Sequence, residues 1–112
     1  MATQDLVIYQ KIVDLTTYLF PALNHFPKQQ RFVLGQQIQN QLLALATSVI
    51  EANKAKDKAA VLDRMDTELE QLRYMIRIAT QMKFMKSQCY EQAAKQISEV
   101  GRLLGGWRRR FG

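Results

Sequence analysis

Residues 61–82 read VLDRMDTELEQLRYMIRIATQM, and this stretch decides the fold. Leu62, Met65, Leu69, Leu72, Ile76 and Ala79 follow one another at intervals of 3, 4, 3, 4 and 3. A helix turns once every ~3.6 residues, so this spacing draws one apolar stripe along a single face. No glycine or proline interrupts it. Asp57 stands just ahead, where a carboxylate can accept an orphan backbone N–H. The pattern predicts a helix from Lys58 to Met85, its stripe widened late by Met75, Ile78, Met82 and Met85.

The same period recurs on both sides. Gly35, Ile38, Leu42, Leu45, Val49 and Ala52 predict a helix from Pro27 to Ala52. Proline suits its first position, and Gly35 predicts close approach of another backbone. Ile8, Ile12, Leu15, Leu19, Ala22 and Phe26 predict a helix from Asp5 to Asn24, kinked near Pro21. Tyr90, Ala93, Ile97, Val100, Leu104 and Trp107 predict a fourth from Gln88 to Trp107, capped by Ser87. Behind Gly105 and Gly106, residues 108–112 are expected to form a short, frayed, basic tail. Four stripes joined by three short breaks predict an all-α fold. It is an antiparallel up-down-up-down four-helix bundle, one domain over residues 1–112.

The formal net charge is +6, which points to an anionic partner. The excess is uneven. Residues 1–53 carry three cations and three anions, whereas residues 85–112 carry six cations and two anions. Cys89 is the only cysteine, so no intrachain disulfide forms, as suits a reducing cytoplasm. The first ten residues do not read as a signal peptide. No apolar run of about 18 residues suggests a membrane span. A cytoplasmic protein is expected.

Nothing in the chain reads as an enzyme. His25 is the only histidine, and a histidine metal site needs further ligands at compatible spacing. A bundle di-iron centre needs Glu-x-x-His on two helices, but Ala22 stands three residues before His25. An Arg-x4-His nuclease pair would need arginine where Phe20 stands. No glycine-rich phosphate loop is present. Cys89 has Lys86 and a helix start nearby, both of which lower a thiol pKa. Lacking a nearby histidine base, it reads more plainly as a small packed thiol. No catalytic residue, metal or cofactor is expected.

The cations are more informative. Arg73 and Arg77 are four apart and share a face of the third helix. Lys95, Arg102 and Arg109 are seven apart and share a face of the fourth, and Arg108 and Arg110 flank its end. If these helices pair as an antiparallel hairpin, the rows merge into one cationic surface. Tyr74, Trp107 and Phe111 lie beside it as stacking surfaces for bases. The plainer alternative is a solvated face held by Glu70–Arg73, Glu91–Lys95 or Glu99–Arg102 pairs, each worth about 0–1 kcal/mol. Apolar residues beyond one interior's need, notably Tyr9, Phe20, Phe32, Leu43, Ile50 and Phe84, predict a homo-oligomer.

Three stretches carry a resemblance. Phe26-Pro27-Lys28 is followed by Arg31-Phe32 and Leu34-Gly35. Glu68-Leu69 is followed by Leu72-Arg73 and Arg77. Val100-Gly101-Arg102 is followed by Leu104-Gly105-Gly106-Trp107. In this order the chain resembles the accessory variability determinant (Avd) proteins of diversity-generating retroelements. The first stretch is shared with the wider bundle family that includes proteins encoded in ribosomal-RNA intervening sequences.

The resemblance implies a pentameric barrel without polymerase activity. It implies binding to a reverse transcriptase and to RNA, with DNA a further polyanion, in support of error-prone cDNA synthesis. It also implies that Arg73, Arg77 and Arg102 contact nucleic acid or polymerase, with Arg108, Arg109 and Arg110 as a looser match. Two alternatives stand beside it. One is a bundle that binds structured RNA without a polymerase. The other is an adaptor whose apolar rows hold a partner helix.

Overall fold

A computed structural model describes residues 3–111, with side chains from Leu6 onward. The four stripes become four helices. α1 is Thr3–Leu23. α2 is continuous but built in three parts: an α-helical turn Lys28–Gln30, a π-helical turn Arg31–Gly35 and the main run Gln36–Lys54. α3 is Lys58–Gln81 and α4 is Ser87–Phe111. Each helix packs on its two neighbours in a closed ring, α1–α2–α3–α4–α1. The molecule measures 42 × 23 × 19 Å.

The interior is built from the predicted positions. Every residue of the α2 and α3 stripes is buried. So are Ile8, Ile12, Leu15, Leu19 and Phe26 of the first stripe and Ala93 to Trp107 of the fourth. Tyr90 is only half-buried. Leu23 replaces Ala22 as the inward residue of the last turn of α1. Pro21 lies in that turn, which closes in three i→i−3 bonds ending with Phe26 N–H to the Leu23 carbonyl.

The α1–α2 corner explains the Phe26-Pro27-Lys28…Arg31…Gly35 stretch. The Phe26 ring is buried, tilted against Phe84 with centroids 5.8 Å apart. Arg31 Nε donates to the Phe26 carbonyl at 3.0 Å. A methyl at Gly35 would sit 3.2 Å from the Gln30 carbonyl oxygen and 3.6 Å from the Phe26 ring. The approach of another backbone expected at Gly35 is not found: the near carbonyl is that of Gln30, one turn back along the same helix, beside the Phe26 ring.

Two boundaries differ from expectation. α3 stops at Gln81 because Lys83 is left-handed, with φ 66°, and the Phe84 and Met85 N–H groups fold back onto the Ala79 carbonyl. The predicted frayed tail is instead helix. α4 runs through Gly105 and Gly106 to Phe111. Gly112 lies outside the described residues. Asp57 caps α3 as predicted, accepting from Ala60 N–H at 3.4 Å. Ser87 is the first helical residue rather than the cap, since the Lys86 carbonyl accepts from Tyr90 N–H.

Lys58 closes the α2–α3 turn. Its Nζ donates to the Ala52, Asn53 and Ala55 carbonyls at 2.9, 3.0 and 3.1 Å. All three ammonium protons thus serve carbonyls at the end of α2, where the helix dipole favours a cation. The α2–α3 seam is polar: Ser48 donates to Glu68, Arg64 pairs with Glu51, and Gln41 donates to Gln71 and to the Glu68 carbonyl. Among the described residues no helix is long and apolar enough to cross a membrane.

Candidate nucleic-acid interface

The register of α3 against α4 decides which cations gather. Arg73 Nη1 donates to Ser98 Oγ at 3.3 Å, and Arg108 reaches Asp63 at 2.7 Å and Asp66 at 3.6 Å. Position numbers rise along α3 as they fall along α4, so the two helices form the expected antiparallel hairpin. Arg73 lies in the seam between them, also 3.6 Å from Glu70. Arg77 is exposed one turn further on.

Lys95, Arg102 and Arg109 follow the outer line of α4 at its seven-residue spacing and are exposed. Lys95 borders a shallow depression with Gln88, Glu91 and Gln92. Of the alternative pairings only Glu70–Arg73 is seen among the described residues. Glu99 binds Lys11 at 3.0 Å rather than Arg102. Among the described residues Arg77, Lys95, Arg102 and Arg109 show no ion pair.

The arginines converge at the end of α4. Arg102, Arg109 and Arg110 border one cleft of about 230 Å³, floored by Ile8, Gly106 and Trp107. The Arg109 guanidinium folds back over the glycine pair. A methyl at Gly105 would lie 3.6 Å from its Nη1, and one at Gly106 3.8 Å from its Nη2. Arg110 lies 5.5 Å from the Phe111 ring centroid, and Lys58 Nζ lies 5.8 Å from it. Bringing cationic groups together in this way raises the local positive potential, which a phosphate relieves.

Two sequence expectations are revised here. Trp107 is 4% exposed and belongs to the core, so it offers no stacking face. Tyr74, at 67% exposure, and Phe111 remain open aromatics. Arg108 is committed to two carboxylates. Neither partner was foreseen, although Asp63 and Asp66 lie on the α4-facing side of α3 and heptad pairing rules could have found them. Cys89 is the packed thiol expected: half-buried, it is pushed above its ordinary value by burial, only partly offset by a hydrogen bond from Tyr18. Among the described residues no cluster of His, Cys, Asp or Glu is placed to hold a metal.

Fold and charge layout together define a basic four-helix-bundle protein whose cations concentrate on the α3–α4 side. A family model described as bAvd-like matches residues 6–111. The chain therefore belongs to the bAvd-like family of accessory variability determinant proteins, as its sequence resemblance implied. Comparison with curated proteins gives no match. The matched span includes Arg108, Arg109 and Arg110, so the basic end of α4 is part of the family domain rather than an appendage. The family is an accessory, non-catalytic kind of protein associated with diversity-generating retroelements.

Proposed function

We propose that the protein is the non-catalytic accessory subunit of a diversity-generating retroelement. It binds template RNA and the reverse transcriptase and so supports mutagenic cDNA synthesis. The observation that carries this reading is the family match over residues 6–111, joined to the convergence of Arg102, Arg109 and Arg110 on one cleft. Arginine and lysine bind phosphates by neutralising them and releasing counterions, which makes affinity fall steeply with salt. Arg73, Arg77 and Lys95 extend the positive surface along the bundle. Arg108 holds the end of α4 in place and contributes fewer open N–H groups. Helix surfaces of this kind lack an element that reads base edges, so recognition runs through the backbone.

Assembly uses the other side. Leu43 and Ile50 of α2 are 51% and 42% exposed, and Leu6 of α1 and Phe32 of the π turn are more than half exposed. Covering these rows with further copies of the chain removes apolar surface from water. Five copies are what the family resemblance implies. A ring multiplies a weak cationic patch through effective concentration.

The test is RNA binding measured across a salt series, with reverse-transcriptase pull-down in parallel. Replacing Arg102 and Arg109 by alanine should weaken RNA binding and flatten the salt slope by about 0.7 per lost phosphate contact. Arg73→Ala with Arg77→Ala should act in the same direction. Wild-type RNA and polymerase binding by both double variants would refute the assignment. RNA binding that persists without any capture of polymerase would favour the structured-RNA alternative.

A further inference from the structure

The opposite end of the bundle carries a second feature. Where α1 ends against the α3–α4 turn lies a cleft of about 660 Å³, within the size range of ligand sites. Phe84, half-buried against Phe26, and the buried Met85 make its floor apolar. Lys83, Lys86 and His25 stand around it, and no Asp or Glu is among its described lining residues. The cleft opens at the start of α4, a 25-residue helix about 37 Å long, whereas Arg109 and Arg110 lie in its last turn. It is therefore distinct from the arginine cleft of Arg102, Arg109 and Arg110.

Lys83 is an unusual place for a lysine. Its left-handed backbone, φ 66°, favours glycine. That conformation ends α3 and sets the ammonium on the rim. The lining does not suit a nucleic acid. Phe84 is packed on Phe26, and Tyr18, 39% exposed, is the open phenol ring of the described lining, not a row on which successive bases stack. The rim cations near it are lysine point charges rather than planar guanidinium forks. An apolar floor beneath an acid-free cationic rim complements a ligand with a hydrophobic side chain between carboxylates.

We propose that this cleft docks a short acidic segment of a partner protein, an apolar side chain seating on Phe84 and Met85 while flanking carboxylates meet Lys83 and Lys86. Cys89 lines the same cleft and is the only cysteine in the chain, so it reports occupancy directly.

The experiment follows alkylation of Cys89 by iodoacetamide in alkaline buffer. The probe is the acetylated, amidated peptide Asp-Glu-Phe-Leu-Asp-Glu-Leu at millimolar concentration. Alkylation should slow by about threefold, the effect of filling two-thirds of the sites. The variant Lys83→Gly with Lys86→Gln removes both charges and relieves the left-handed lysine. It should abolish protection while its melting temperature stays the same or rises. Equal protection by a peptide with lysine at every acidic position would overturn the proposal, as would no protection by the acidic peptide. Protection by an oligouridylate would overturn it too, by assigning the cleft to the RNA surface. RNA affinity of the same variant, read separately, should be unchanged. Loss of this proposal would leave the arginine-end reading standing, and the reverse holds equally.

Discussion

Lys58 shows how much a single side chain can carry without a sequence signal. The sequence marks it only as the start of α3, yet its ammonium spans three carbonyls and approaches Phe111. Lys58→Met keeps the aliphatic stem and removes the donors. Urea unfolding should show a loss of about 1–2 kcal/mol, since hydrogen bonds from charged groups to helix-end carbonyls fall in that range. The glycines separate just as sharply. A methyl at Gly101 meets nothing within 4 Å, whereas one at Gly35 presses on the Gln30 carbonyl. Gly101→Ala should therefore stabilise by about 0.5–1 kcal/mol through helix propensity and unfolded-state entropy. Gly35→Ala should gain less or lose stability in the same measurement.

Among elements, α4 changes most between sequence and structure. Its stripe is plain in the sequence, and so is the glycine pair that suggested an early end. The helix nonetheless continues for the whole Arg108–Phe111 turn because Arg108 anchors it to Asp63 and Asp66 of α3. These groups are largely open to solvent, so the global gain is under about 1 kcal/mol. The local gain is larger in proportion, because a terminal turn has little else to hold it. Arg108→Ala should leave the melting temperature nearly unchanged while amide exchange accelerates in the last turn of α4, and 1 M salt should reproduce that acceleration in the wild type. Unchanged exchange in both cases would show that the ion pairs do not hold the turn.

The whole molecule is two-sided. Its α3–α4 side and the end of α4 hold most of the positive charge, whereas the α1–α2 side leaves Leu6, Leu43 and Ile50 open. Under the proposed function, such a layout keeps the assembly face apart from the polyanion-binding face. Leu43→Asp with Ile50→Asp should convert the assembly to a 13.0 kDa monomer in light scattering, with helix content retained because both side chains point away from the core. RNA affinity should then drop with the lost multivalency, although no arginine has changed. An unaltered mass would place the subunit contact elsewhere.

The chain's sequence by itself determined four helices, the inward face of each, the overall positive charge and the family motifs. These follow from local periodicity and composition, which need no knowledge of neighbouring elements. Only the tertiary structure decided which cations gather and which are spent. Arg108 meets Asp63 across 45 residues of chain, Trp107 turns into the core, and burial raises the Cys89 thiol. Ion pairing and desolvation depend on distances across the bundle, and helix-to-helix register sets those distances only after the stripes have packed.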